Sequence, residues 1–224
     1  MDNQTNYKTN PEIEYDELVR VMSRFRDTTK LKPDVQIKIY EAISRNWCIG
    51  KAVLDAGCGI GIGTNILGRE AVGAWGIDKF ERNVSVAKQL YENMKIKFDQ
   101  VDLVNPPSRP FATFDVICCI EVIEHIEDYE KALQTLKSFF DPKRKTILFI
   151  SSPNRNNDNL SKEQPKNLQH VREWQAGEFY EILTKHFGSV VMYSGEKVSE
   201  FSQEETVDGS TKDTPILAKV ELPI

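Results

Sequence analysis

The chain reads as an α/β protein built on a doubly wound parallel sheet, and three observations predict this. Apolar runs of strand length alternate with amphipathic helical stretches between residues 51 and 152. The first run, Val53-Leu54-Asp55-Ala56, feeds straight into a turn with glycines at 57, 59, 61 and 63. A second acid, Asp78, ends the next apolar run about twenty residues past the first of those glycines, where doubly wound folds place a ribose-binding acid.

The elements follow in order. An N-terminal helical extension over residues 1–46 carries two amphipathic patterns. Glu12 to Arg26 sets Ile13, Leu18, Val19, Met22 and Phe25 on one side, and Asp34 to Asn46 does the same with Val35, Ile37, Ile39, Tyr40 and Ile43. A second domain, residues 47–224, should place strands near 52–56, 73–78, 96–101, 114–120 and 146–151. Helices fill the intervals, beginning at Thr64 after the glycine turn, running from Phe80 to Met94, and running from about Asp128 to Phe140. Tyr91 and Met94 are read as packing residues of the second of these. The polar stretch Ser152 to Gln169 is a long loop of the kind that serves as a lid or binding segment. Trp174 to His186 is again helical, and Ser189 to Tyr193 and Pro215 to Val220 are strands joined by a polar, acidic connection.

Composition narrows the partners. The net charge is -5, from 29 basic and 34 acidic residues in 224, which disfavours wholesale electrostatic binding to nucleic acid. A local basic group, Arg20, Arg24, Arg26, Lys30 and Lys32, is either a solvated helix face or a contact for an anionic acceptor. Cys48, Cys58, Cys118 and Cys119 have no metal-ligand spacing and read as reduced packing residues of a cytoplasmic protein. Met1 to Asn10 lacks an apolar segment and no run approaches a membrane span, so neither secretion nor membrane insertion is expected.

The glycine turn is where chemistry is expected, because glycines take positive φ and let backbone approach a ligand closely. Position 62 is Ile, so the dinucleotide spacing G-x-G-x-x-G fails. Asp55 at the end of the strand would repel a pyrophosphate and attract a ligand bearing an amino group and a sulfonium, which points to S-adenosylmethionine (SAM). A second constellation, Glu121-Val122-Ile123-Glu124-His125, follows the fourth strand. A helical turn there would put Glu121, Glu124 and His125 on one face, and His170, after the polar loop, could close a four-ligand site. Two carboxylates and two imidazoles suit magnesium, manganese, cobalt or zinc. Without an ion, Glu121 lines the methionine end of the cofactor and His125 is a general base or a helix cap.

Four ordered patterns resemble the class I SAM-dependent methyltransferases: the glycine turn, Ile77-Asp78, Ile96 to Leu103, and Phe114 to Glu121. The resemblance implies a Rossmann-like, seven-stranded sheet whose last strand is antiparallel. It also implies that Asp55, Gly57, Cys58, Gly59 and Gly61 hold the methionine end, together with Glu121. Asp78 with Lys79 would take the ribose, while Asp102 and the Leu103 backbone N–H would take adenine. The E-x-x-E-H pattern with a later histidine is similar to ubiquinone-pathway O-methyltransferases and to small-RNA 2′-O-methyltransferases, implying catalytic roles for Glu121, His125 and His170. Ser151-Ser152-Pro153-Asn154 instead resembles many small-molecule methyltransferases. The expected function is O-methylation of a small or nucleotide-like hydroxylated acceptor. Metal-dependent RNA 2′-O-methylation and a non-catalytic SAM-binding module are the alternatives.

Overall fold

Val53, Leu54 and Ala56 are fully buried, and their strand, β1 (Ala52–Ala56), lies inside a seven-stranded sheet. The computed structural model describes residues 35–108, 110–155, 165, 167, 169–194 and 215–221. The chain divides into two compact units, Met1–Asp34 and Val35–Ile224. The first lies outside the described residues, and so do the helix expected over Glu12 to Arg26, the basic group from Arg20 to Lys32, most of the polar loop and the connection over 195–214.

In chain order the second unit contains α1 (Val35–Trp47), β1, α2 (Ile62–Leu67), β2 (Gly73–Asp78), α3 (Glu81–Tyr91), β3 (Ile96–Gln100) and β4 (Val116–Cys119). A 3₁₀ turn over Ile123–His125 follows, then α4 (Tyr129–Ser138), β5 (Ile147–Ser152), α5 (Ala176–Phe187), β6 (Val190–Ser194) and β7 (Ile216–Glu221). The strand order is β3-β2-β1-β4-β5-β7-β6, with β7 antiparallel to both neighbours. Every residue of β4 is buried, as expected for a parallel strand covered on both faces.

Side-chain alternation sorts the helices. Val53, Val116, Cys118, Phe149 and Leu217 meet α1 and α2, while Leu54, Ile117, Leu148 and Ile150 pack with α4 and α5 on the opposite face. The smaller cluster of Ala74, Ile96 and Phe98 takes Val84 and Ala87 of α3. The boundary expected at residue 46 falls inside α1, whose Ile39, Ala42 and Ile43 are fully buried with β1.

Other departures are local. Phe114 makes an isolated bridge to Phe140 instead of starting β4. Asp128 caps α4 by accepting from Lys131 N–H at 3.1 Å. Met94 lies beyond α3 and is 97% exposed, so the packing role expected for it is not met, whereas Tyr91 does pack.

This topology creates the site. β2 and β4 flank β1 and are reached by connections running in opposite directions, so the segments leaving their carboxyl ends diverge and open a crevice there.

Candidate cofactor and ion site

The turn after β1 takes the form its glycines permit. Gly57, Gly59 and Gly61 have φ of 79°, 54° and 88°. A Cβ on Gly57 would lie 2.5 Å from Val122, so the turn presses against the segment leaving β4. The N–H groups of Gly57 and Cys58 both donate to the Ile77 carbonyl, at 2.7 and 2.9 Å, binding the turn to the end of β2. The Cys58 side chain is buried, and burial pushes its thiol well up, so it stays protonated and contributes packing. Gly63, inside α2, faces the Tyr40 ring, where a Cβ would approach to 2.3 Å.

The three acids differ in what they face. Asp55 is 1% exposed and lies away from solvent, its Oδ1 accepting from Tyr40 Oη at 2.9 Å and its Oδ2 from Thr64 Oγ1 at 2.7 Å. Burial pushes its carboxyl up to about 6 against the pull of those two hydroxyls. The ligand-facing position expected for Asp55 is therefore not what is seen; it braces α1, β1 and α2 from beneath the turn.

Asp78 ends β2 and is itself buried, with Oδ2 accepting from Gly59 N–H at 3.0 Å and Oδ1 from Phe80 N–H at 2.8 Å and Asn83 Nδ2 at 3.2 Å. Lys79 Nζ lies 4.8 Å from the centroid of the half-exposed Phe80 ring. Asp102 accepts from Val104 N–H at 2.8 Å and Asn105 Nδ2 at 3.1 Å. Burial alone would raise its carboxyl, but those hydrogen bonds and the Lys79 charge hold it below the usual range. The Leu103 side chain is buried in the core.

The second constellation assembles by a different route from the expected helical face. Only the 3₁₀ turn Ile123–His125 is helical, and Glu121 precedes it with φ of 55°. Among the described residues, Glu124, His125 and His170 form a group whose potential ligand atoms all lie within 4.8 Å of one another. Glu121 is not one of the three; its Oε1 accepts from Ser151 Oγ at 2.8 Å. His170 is delivered by backbone pairing, Val171 N–H donating to the Glu124 carbonyl at 2.8 Å.

Glu124 is 1% exposed, its Oε2 has no hydrogen-bond partner, and its carboxyl is pushed up to about 8 by burial and then by the nearby Glu121 charge. His125 Nδ1 lies 2.9 Å from the Gln169 carbonyl, which can only accept, so that nitrogen carries the proton. His170 Nδ1 lies 2.7 Å from Glu173 Oε1, and its Nε2 lies 2.8 Å from Asn167 Nδ2, a donor. Both Nε2 atoms thus carry a lone pair, that of His170 accepting from the Asn167 amide, which an ion would have to displace, while an outer carbonyl and an outer carboxylate orient the two rings as they do histidine ligands. An orphaned buried carboxylate oxygen beside two such imidazoles fits a divalent cation.

Tyr40, Thr64, Ser151 and Glu173 were missed as site residues. Tyr40 reads as one more apolar position of a helical stripe, and the only signal for Glu173 is its i+3 spacing from His170.

Residues 23–192 match the family model described as a methyltransferase domain. The chain belongs to the class I SAM-dependent methyltransferases. A probable SAM-dependent methyltransferase of Mycolicibacterium smegmatis is 30% identical over 145 residues, 65% of this chain and 54% of that protein. The ubiquinone biosynthesis O-methyltransferase of Coxiella burnetii is 32% identical over 108 residues, 48% of this chain and 45% of that protein. The matches thus span about half the length of these curated relatives. The N-methyltransferase NodS of Bradyrhizobium japonicum, solved with S-adenosylhomocysteine, shares the fold with a TM-score of 0.59 at 19% identity, covering 84% of this chain and 86% of that one. Among the described residues no helix is long and apolar enough to cross a membrane.

Proposed function

We propose that this methyltransferase transfers the methyl group of SAM to a hydroxyl oxygen of a small or nucleotide-like acceptor. The observation that carries the reading is the Glu124, His125 and His170 cluster with its orphaned carboxylate oxygen at the carboxyl edge of the sheet. Asp78 would accept from the ribose hydroxyls, Asp102 and the Leu103 N–H would recognise adenine, and the glycine turn would leave room for the methionine end. Asp55 supports that turn through Thr64 and Tyr40. Glu124, His125 and His170 would hold a divalent cation, whose contribution would be to lower the pKa of the acceptor hydroxyl and fix its oxygen. The ubiquinone-pathway relative supports oxygen as the acceptor atom.

The same cluster supports a second reading, metal-dependent methylation of a 2′-hydroxyl at an RNA end, against which the net charge of -5 counts. Labelled SAM, offered with fractionated cell extract, should label the small-molecule pool. Chelator should abolish transfer while leaving SAM binding intact, and added manganese or cobalt should restore it. Label in RNA would favour the second reading. Stoichiometric SAM binding with no transfer to any pool would leave a non-catalytic binding module.

A further inference from the structure

Ser151, at the end of β5, is fully buried, and its hydroxyl engages a single residue twice. It donates to Glu121 Oε1 at 2.8 Å and accepts from Glu121 N–H at 2.9 Å. A serine hydroxyl has one proton, so these two bonds fix its orientation and close a ring around the Glu121 backbone and carboxylate. Glu121 is, among the described residues, the non-glycine residue with positive φ. A side chain with a Cβ persists there only where its surroundings over-determine the conformation. The paired bonds to Ser151 supply that constraint.

The outcome is a carboxylate turned toward β5 and left out of the three-group cluster. The next residue, Val122, packs against the Gly57 position, so Glu121 stands where the end of β4 meets the glycine turn. We infer that Ser151 is a positioning residue that holds Glu121 on the cofactor side, facing the sulfonium of SAM, while Glu124, His125 and His170 form the ion site without it. This rests on the proposed methyl-transfer reading. An in-line displacement needs the donor sulfur and the acceptor oxygen fixed on opposite sides of the methyl carbon. Dividing the two carboxylates between those sides does so.

Calorimetry on the full chain tests the inference with SAM, S-adenosylhomocysteine and Mn²⁺. Ser151→Ala removes both of these bonds to Glu121, and should weaken SAM roughly tenfold while weakening S-adenosylhomocysteine, which lacks the sulfonium charge, less than about threefold. Mn²⁺ affinity should be unchanged. Glu121→Gly accepts the left-handed backbone at no steric cost and should show the same selective loss, so the test stands even if Ser151→Ala folds poorly. Equal weakening of both nucleosides in the two variants would make the role merely structural and overturn the inference. Unchanged SAM affinity, or Mn²⁺ binding that falls in Glu121→Gly, would overturn it too. A wild-type chain that binds no SAM would instead remove the methyl-transfer reading on which it rests.

Discussion

Asp55 shows how one residue is redirected by what surrounds it. As a strand-end acid it is a cofactor ligand by pattern, yet its two oxygens are taken by Tyr40 and Thr64 and its solvent access is removed. Its carboxyl is raised from 3.8 to about 6, so the folded state holds the proton more tightly than the unfolded chain. That contribution to stability is fully present below about pH 3.8 and is lost as pH rises through about 6. Asp55→Asn cannot titrate, and its amide can still bond both hydroxyls. The stability of the parent relative to Asp55→Asn should therefore fall by on the order of 2 kcal/mol between pH 4 and pH 7. Urea unfolding across that range checks it, and a constant difference would show that folding does not shift the Asp55 carboxyl.

Among elements, α1 and α2 make the clearest case for packing that serves the site. Helix α1 places Tyr40 over Gly63, and the same ring reaches Asp55 through its hydroxyl. Gly63→Ala would push a methyl into a buried ring, with an expected cost of about 1–3 kcal/mol. Thermal unfolding should show a loss of several degrees, roughly 2–4 °C per kcal/mol for a unit of this size. A double-mutant cycle with Tyr40→Ala should recover part of it, and strict additivity would mean that the two do not touch. The 3₁₀ turn after β4 carries the opposite lesson. Helical spacing suggested that Glu121, Glu124 and His125 share a face, but the segment is three residues long and Glu121 lies outside it. What brings His170 to Glu124 is the backbone pairing of its neighbour Val171 with Glu124 across 47 positions, which no local periodicity encodes.

For the whole molecule, cofactor binding should appear as stability. A ligand at 100 times its Kd adds about 2.7 kcal/mol to unfolding. Asp78 ends β2 and bonds the Gly59 and Phe80 amides, so if it also takes the ribose hydroxyls Asp78→Ala should weaken SAM by about one to two decades. At a fixed SAM concentration of 100 times the parent's Kd, that removes roughly half or more of the rise in melting temperature seen with the parent. An equal rise in both proteins would separate Asp78 from the ribose.

The alternation of apolar runs and the glycine turn determined the doubly wound α/β sheet and the place of the turn after its first strand, because strand burial and backbone freedom are local properties written every two to four residues. Element bounds shifted by a few residues at most, as at β4, where Phe114 forms only a bridge. Tertiary structure alone decided which face Asp55 presents, that Ser151 captures Glu121, and that Gln169 and Glu173 orient the two histidines. Each depends on groups distant in sequence meeting in a buried setting, where an unmatched hydrogen bond is costly and partner choice is set by the packing of the whole sheet.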